Sequence, residues 1–319
     1  EGEAPLYALK YSIMEERREL YELGHYDEEK GVFTRSADSI NGSGVALAEG
    51  QLEYDLGPNN HFYASKSFVA AQDHQSSQQK SIGTKEKPPG SSQRVLWGWL
   101  PENDDSGDRT WSGAMSLPRL VTYNALLGTL TFPPLPALSS LRIAGTHTHF
   151  QMNNAILNHA DSKSSGVYVV PIRSSTLASE VTVLFHLDLP LTVSSGDCML
   201  EVGLLGRTEE GGVYGEIATS LPRTYVKHGV GLKYKAGNGG QLEDGQMSLY
   251  SSVDTAHTDG NPHQDRVIKK IPGNVSAYIN ANSKHSSDNI GFDVHITMYY
   301  DHSVTEMYIE DGVGVATTR

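Results

Sequence analysis

Trp97 and Trp99 stand two residues apart, and Glu102 follows three positions later. On a strand, residues i and i+2 share a face, so the two indoles project together. The preceding segment Tyr54–Phe68 carries Asp55 and Tyr63. Aromatic planes beside carboxylates are what a sugar site needs: C–H faces of the ring stack on the aromatic, and hydroxyls bond to Asp and Glu. Packing between sheets is the competing use of such side chains, and for Trp97 it is the leading one.

Other constellations carry less. The acidic run Glu102–Asp108 fails as an EF-type calcium loop, because placing Gly107 sixth puts Gly113 where a bidentate Glu is required. It reads as a solvated loop. His147 and His149 could place two imidazoles on one strand face, but no third zinc ligand is identifiable. Asp254, His257, Asp259, His263 and Asp265 read as a polar loop. No G-x-S-x-G, Gly-rich phosphate loop or Cys–His arrangement occurs, so neither metal nor cofactor is expected. Cys198 is the single cysteine, which excludes an intramolecular disulfide and a multi-Cys zinc site. Two N-x-S sequons, at Asn41 and Asn274, are candidate glycosylation sites.

The elements that must position these residues are strands. Val183, Phe185, Leu187 and Leu189 fall on one face, with Leu184, His186 and Asp188 on the other; Cys198 to Leu204 repeats the pattern, and Ile290 to Tyr300 holds it for eleven residues. Asp311-Gly312 between Thr305–Ile309 and Val313–Thr317 predicts a two-residue hairpin turn. Met14–Leu23 has poor helical spacing, and Tyr7–Tyr11 and Tyr21–Tyr26 read as strands around a charged turn. The polar stretch Ala71–Gln93 reads as a long loop between paired strands. Phe132-Pro133-Pro134-Leu135-Pro136 cannot continue a strand, which places a domain boundary near residue 135. The chain is therefore expected to be all-β. With 319 residues and 38 % hydrophobic content it can bury a sizeable core, and no apolar run nears the ~20 residues of a membrane span. The formal charge of -13 argues against a nucleic-acid partner and is no obstacle to a neutral sugar.

At these residues the chain resembles a known family. Tyr54-Asp55-Leu56-Gly57 with Phe62-Tyr63-Ala64-Ser65-Lys66-Ser67-Phe68 is similar to the D-Y-G-x-F-Y-A-S-K-T-F motif of family 32 glycoside hydrolases, the invertases, inulinases and fructan-active enzymes. Arg94 to Trp99 with Glu102 resembles R-R-I-L-W-G-W-x-x-E; Trp111-Ser112-Gly113 and Ser116-Leu117-Pro118-Arg119 resemble G-W-A-G-x-Q-S-I-P-R. Leu138–Arg142 resembles E-L-x-x-L-R, and Asp301 to Tyr308 resembles D-x-S-V-x-E-x-F of the family's sandwich. Between about 143 and 289 the similarity is positional only.

The resemblance implies a partial five-bladed β-propeller (residues 1–135) followed by a C-terminal β-sandwich (136–319). It also implies a retaining, two-carboxylate β-fructofuranosidase acting on sucrose or fructan oligosaccharides, in an extracellular or vacuolar setting. The family's W-x-N-D-P-N-G, R-D-P and E-C-P strings, which carry its catalytic carboxylates, do not occur in this sequence. Leu9-Lys10-x-Ser12 resembles the L-K-x-S that follows E-C-P, so the nucleophile and acid/base are expected upstream and this chain alone is expected to be inactive. Position by position, Tyr63 and Trp99 fall on pocket aromatics. Arg17 falls on the basic partner of the sucrose-cleaving turn, whose acidic position holds Met14 with Glu15 beside it. Asp55, Glu102, Glu15 and Arg17 are the remaining candidate substrate contacts. The alternatives are a non-catalytic, lectin-like sugar binder, or one chain of a split enzyme whose N-terminal partner completes the propeller. Glu306 is expected at a domain interface or sheet edge, where its removal would cost about 1–3 kcal/mol if it is buried and hydrogen-bonded.

Overall fold

The computed structural model describes residues 5–15, 18–36, 50–51, 62–70, 93–100, 113–145, 178–190, 195–205, 224–237, 241–256, 262–264, 267–286, 289–301 and 304–318. Among them strands dominate. The Met14–Leu23 region enters a hairpin: β1 (Tyr7–Ile13) pairs antiparallel with β2 (Arg18–Asp27), which also pairs β3 (Val32–Arg35) and β4 (Gly50–Gln51). Leu20, Tyr21 and Leu23 of β2 are buried, while Met14 at the turn is exposed.

A second four-stranded antiparallel sheet follows. In it β5 (Tyr63–Ala70) pairs β6 (Gln93–Leu100), which pairs both β7 (Ala114–Met115) and β8 (Arg119–Leu120). The segment joining β5 to β6, residues 71–92, lies outside the described residues. Leu96 and Leu100 of β6 pack with Tyr21, Leu23 and Phe62, so one face of this sheet is closed against the first. The two sheets, each four-stranded and antiparallel, have the form that propeller blades take and are called blades below.

The hairpin β9 (Thr122–Asn124) and β10 (Thr129–Thr131) leads to Phe132 and the proline run, which ends in a short 3₁₀ turn over Pro136–Leu141. A two-layer sandwich comes next. One layer orders β11 (Ala178–Pro190) against the later long strand described below; the other orders β12 (Ser195–Leu205), β13 (Thr224–Ala236), β14 (Leu242–Ala256) and β15 (Pro262–Gln264), with β16 (Val267–Lys270) also on β14. Helix α1 (Val275–Asn282) and β17 (Lys284–His285) then lead to β18 (Asn289–Asp301), β19 (Val304–Ile309) and β20 (Gly314–Thr318), giving the order β11-β18-β19-β20. The core lies between the layers: Val230, Leu232, Met247 and Leu249 meet Ile290, Phe292, Val294, Ile296 and Met298. This is the inward set that the β18 alternation predicts.

Three features differ from the sequence-based expectation. The turn between β19 and β20 is a four-residue connection, a 3₁₀ segment over Glu310–Gly312 and then Val313, rather than two residues. Asp254 and His263 lie on paired strands, β14 and β15, and not in a loop. Helix α1 was not anticipated. Asn274 caps it, its side chain accepting from Ala277 N at 3.0 Å.

Blades and sandwich interlock through buried contacts. Leu127, at the tip of the β9–β10 hairpin, is wholly buried in the sandwich core, and Asn274 N donates to its carbonyl at 2.9 Å. Strand β19 is buried on both faces: Met307 and Ile309 point into the sandwich core, whereas Tyr308 joins the cluster containing Tyr21, Leu96 and Phe132. On that second face Glu306, 3 % exposed, accepts from Arg119 Nη2 at 2.6 Å and from the Leu117 backbone N–H at 2.6 Å. The Tyr308 hydroxyl donates to Glu306 at 2.9 Å and accepts from Arg119 Nε at 3.2 Å. The Arg119 guanidinium lies 4.3 Å from the centroid of the Phe62 ring. The Ser116–Arg119 and Asp301–Tyr308 motifs are thus two halves of one buried ion pair, which places Glu306 at the contact between modules.

Candidate functional site

Of the residues singled out for sugar chemistry, Tyr63, Trp97 and Trp99 stand together on the second blade. In the β5–β6 pairing Tyr63 stands directly opposite Trp99, Lys66 opposite Trp97 and Phe68 opposite Val95. Opposed residues in an antiparallel pair share a face. Tyr63, Lys66 and Phe68 therefore line one face with Val95, Trp97 and Trp99. Across the other edge of β6, Met115 opposes Trp99. The result is an apolar row along one face of the sheet. Tyr63, Trp97 and Trp99 are half-buried, and Phe68 and Met115 are 54 % and 56 % exposed.

Two glycines of the motifs explain how the aromatics are seated. A Cβ at Gly113 would lie 2.2 Å from Trp99 Nε1, and Gly113 has φ +114°, a conformation L side chains rarely adopt. The Trp99 indole thus lies across bare backbone. On the opposite face of β6 a Cβ at Gly98 would meet the Phe62 ring at 2.2 Å, so that glycine admits Phe62 into the seam between the blades. Ser116 fastens the strand that carries both tryptophans: its hydroxyl accepts from Gly98 N at 3.0 Å, and its own N–H donates to Gly98 O at 2.8 Å.

The row reaches Tyr63 through a bulge. Three steps along β5, from Tyr63 to Lys66, match only two along β6, and Ala64 takes φ +51°. Without the extra residue Ala64 would oppose Trp99. The bulge is held by the first blade. Ser65 N donates to Glu19 Oε1 at 3.1 Å and Ser65 Oγ to Glu19 Oε2 at 3.0 Å, while Lys10 Nζ donates to Ser65 O at 2.7 Å. Lys10 also pairs with Glu19 at 2.6 Å, and Ser12 Oγ donates to the same carboxylate at 2.8 Å. Sequence reasoning missed Glu19, which lies in the charged run Glu15–Glu19 and looks like a solvated residue there. The only available hint was its company with Lys10 and Ser12 on paired strands.

The other candidates are placed less fully. Glu15 is exposed beside Met14 at the β1–β2 turn. Arg17, Asp55 and Glu102 lie outside the described residues, as do Asn41, His147, His149 and the acidic run 102–108. Asn274 is half-buried at the start of α1. Among the described residues no group of three His, Cys, Asp or Glu is arranged to hold a metal ion. No described helix is long and apolar enough to cross a membrane. An aromatic row of this kind can stack on the C–H face of a sugar or receive another sheet, and its two ends differ: Tyr63, Trp99 and Met115 lie at one, Phe68 and Val95 at the other.

No family model matches the chain. Among curated proteins it is similar to the acid β-fructofuranosidase of Vicia faba, 26 % identical over 100 % of this chain and 42 % of the relative. It is also similar to the acid β-fructofuranosidase of Phaseolus vulgaris, 33 % identical over 43 % of this chain and 18 % of the relative. The fructan 6-exohydrolase of Beta vulgaris is 29 % identical over 44 % of this chain and 19 % of the relative. The chain thus spans less than half the length of these relatives. Among solved structures, fructan 1-exohydrolase IIa from Cichorium intybus aligns over 98 % of this chain and 50 % of its own at 15 % identity, TM-score 0.45. The fructosyltransferase from A. japonicus aligns over 94 % and 44 % at 15 % identity, TM-score 0.49. Curated β-fructofuranosidases thus align along the whole of this chain, and the chain is similar to the family 32 glycoside hydrolases.

Proposed function

We propose that this chain forms part of a β-fructofuranosidase-type enzyme that cleaves sucrose or fructan oligosaccharides by a retaining mechanism. In this reading residues 1–135 are blades of the catalytic propeller and residues 136–319 the sandwich. The observation that carries it is Trp99 seated on Gly113 with Tyr63 directly opposite, at one end of an aromatic row. Trp99 takes the ring face of the fructosyl unit, and Tyr63 meets it by its edge or hydroxyl. Asp55, Glu102, Glu15 and Arg17 supply polar contacts.

Retaining hydrolysis needs a nucleophile and an acid/base about 5–5.5 Å apart across the scissile bond. The motifs that carry them in the family are absent from this sequence, so the pair is supplied by further propeller blades and the chain alone is inactive. Those blades, in the same polypeptide or as an N-terminal partner chain, cover the Phe68 end of the row. The Trp97 indole N–H, buried without an acceptor among the described residues, fits a surface awaiting that cover. In this reading the enzyme works in an extracellular or vacuolar setting. There Asn41 and Asn274 take N-linked glycans, and Asn274 has its carboxamide oxygen engaged and its nitrogen as the atom to be modified.

Titrating the intact chain with sucrose, alongside W99A, tests the site. A stacking contact predicts sucrose binding weakened by roughly 10–100-fold at nearly unchanged thermal stability, since such contacts contribute about 1–3 kcal/mol. A Trp99 that serves as core would instead cost about 3–5 kcal/mol of stability on truncation. That second result would remove Trp99 from the site.

A further inference from the structure

The buried carboxylate of Glu19 takes no part in the chemistry above, yet it gathers four hydrogen-bond donors from three residues on two blades. Its side chain is 1 % exposed, and its partners are Lys10 Nζ, Ser12 Oγ and both donors of Ser65. Together Lys10 and Glu19 engage the N–H, the hydroxyl and the carbonyl of Ser65. Ser65 is the residue after Ala64, whose φ of +51° costs an L-alanine roughly 1–2 kcal/mol. Conformations of that kind persist only where the surroundings over-determine them. Here the surroundings are the Lys10–Glu19 pair.

The strained residue decides which way Tyr63 faces. In a regular ladder the position before Ser65 would oppose Trp99, and Tyr63 would fall on the opposite face, towards Phe62 and the first blade. The extra residue keeps Tyr63 in register with Trp99. We propose that Lys10 and Glu19 are positioning residues for the aromatic pair: clamping Ser65 from the neighbouring blade holds the bulge that turns Tyr63 onto the Trp99 face. This rests on the sugar-site reading only for its functional consequence. Its geometric claim stands on the hydrogen bonds. A blade-to-blade ion pair thereby sets the shape of a wall that neither residue touches.

The test uses the intact 319-residue chain, E19Q, A64G and the double variant E19Q/A64G. The readouts are the indole N–H resonances of Trp97 and Trp99, titration with sucrose, and the thermal midpoint. Lys10 is about one-third exposed in its side chain, so it can turn to water when the carboxylate is neutralised. E19Q is expected to shift the Trp99 resonance and weaken sucrose binding by roughly tenfold, the loss of one aromatic contact. Glycine adopts φ +51° without strain, so A64G in the E19Q background should return the resonance and the affinity most of the way to those of the unmodified chain. It should do so without restoring the thermal midpoint. A residue that only adds stability would show no such rescue.

An unmoved Trp99 resonance in E19Q, or a double variant no closer to the unmodified chain than E19Q, overturns the proposal. Should E19Q fail to fold, K10M gives the same comparison, because it removes only the bond to the Ser65 carbonyl and one arm of the ion pair. If the unmodified chain binds no sucrose, the sugar-site reading fails, and the Trp99 resonance still decides the positioning claim.

Discussion

At the scale of single residues, the same side-chain types take opposite roles according to what faces them. Glu15 and Glu19 lie four positions apart, one exposed at a turn and the other sealed beneath Lys10 and Ser65. A charged run in a sequence carries no mark of which member is buried, because the partners that stabilise a buried carboxylate come from distant segments. The shared face of Trp97 and Trp99 was legible from their spacing; Gly113, which seats the Trp99 indole, was visible only as part of a motif. Glu306 shows what burial does to energetics. Arg119 is fully buried and Glu306 nearly so, and removing one partner leaves an uncompensated charge. E306A should therefore cost about 3–5 kcal/mol in urea denaturation, above the 1–3 kcal/mol expected for an ordinary buried hydrogen bond. The double replacement R119M/E306L should cost less than E306A alone. A loss under 1 kcal/mol for E306A would contradict this account of the contact between modules.

At the scale of elements, long strands announced themselves and short helices did not. Strand β18 buries every second residue from Ile290 to Met298, so its sequence alternates cleanly. Strand β19 is buried on both faces, and its Val-Thr-Glu-Met-Tyr-Ile run accordingly hides its register. Helix α1 buries only Val275, Tyr278 and Ile279 in eight residues, too short a stripe to stand out from the loops around it. Its one local signal is Asn274 at the cap. N274A should cost about 1 kcal/mol of thermal or urea stability and leave the blades unaffected. No measurable change would mean that packing of Tyr278 and Ile279 alone sustains the helix. The bulge in β5 was illegible for a different reason. Nothing in Phe-Tyr-Ala-Ser-Lys specifies an extra residue, and the register is imposed from the neighbouring blade through Glu19.

At the scale of the whole molecule, the blades and the sandwich share buried side chains rather than merely touching. Leu127 enters the sandwich core, and Tyr308 and Val315 enter the blade cluster. The proline run after Phe132 marks a change of architecture in the sequence; interlocking across it was not legible, because Leu127 sits in an ordinary turn. Alkaline pH probes the shared region. Burial, with Glu306 nearby, raises the Tyr308 hydroxyl well above its usual range, and burial together with Glu180 pushes Tyr299 up to about 12 against the opposing pull of Arg142. A raised folded-state pKa favours the folded chain wherever the phenol stays neutral. That contribution is complete below pH ~10 and is lost as pH rises through the folded values. Thermal stability should therefore fall from about pH 10 upward, and Y299F should flatten part of that decline. A midpoint constant to pH 12 would contradict it.

We propose that this chain carries one wall of a fructosyl site whose catalytic carboxylates lie in other blades. The most direct test measures fructose release from sucrose by the chain alone and by the chain joined behind the N-terminal part of the Vicia faba acid β-fructofuranosidase, a relative aligned over the whole of this chain. The prediction is no release by the chain alone, and release by the joined protein that falls by roughly 10–100-fold with W99A. Sucrose hydrolysis by the isolated chain, or a folded joined protein whose activity is indifferent to W99A, would contradict it.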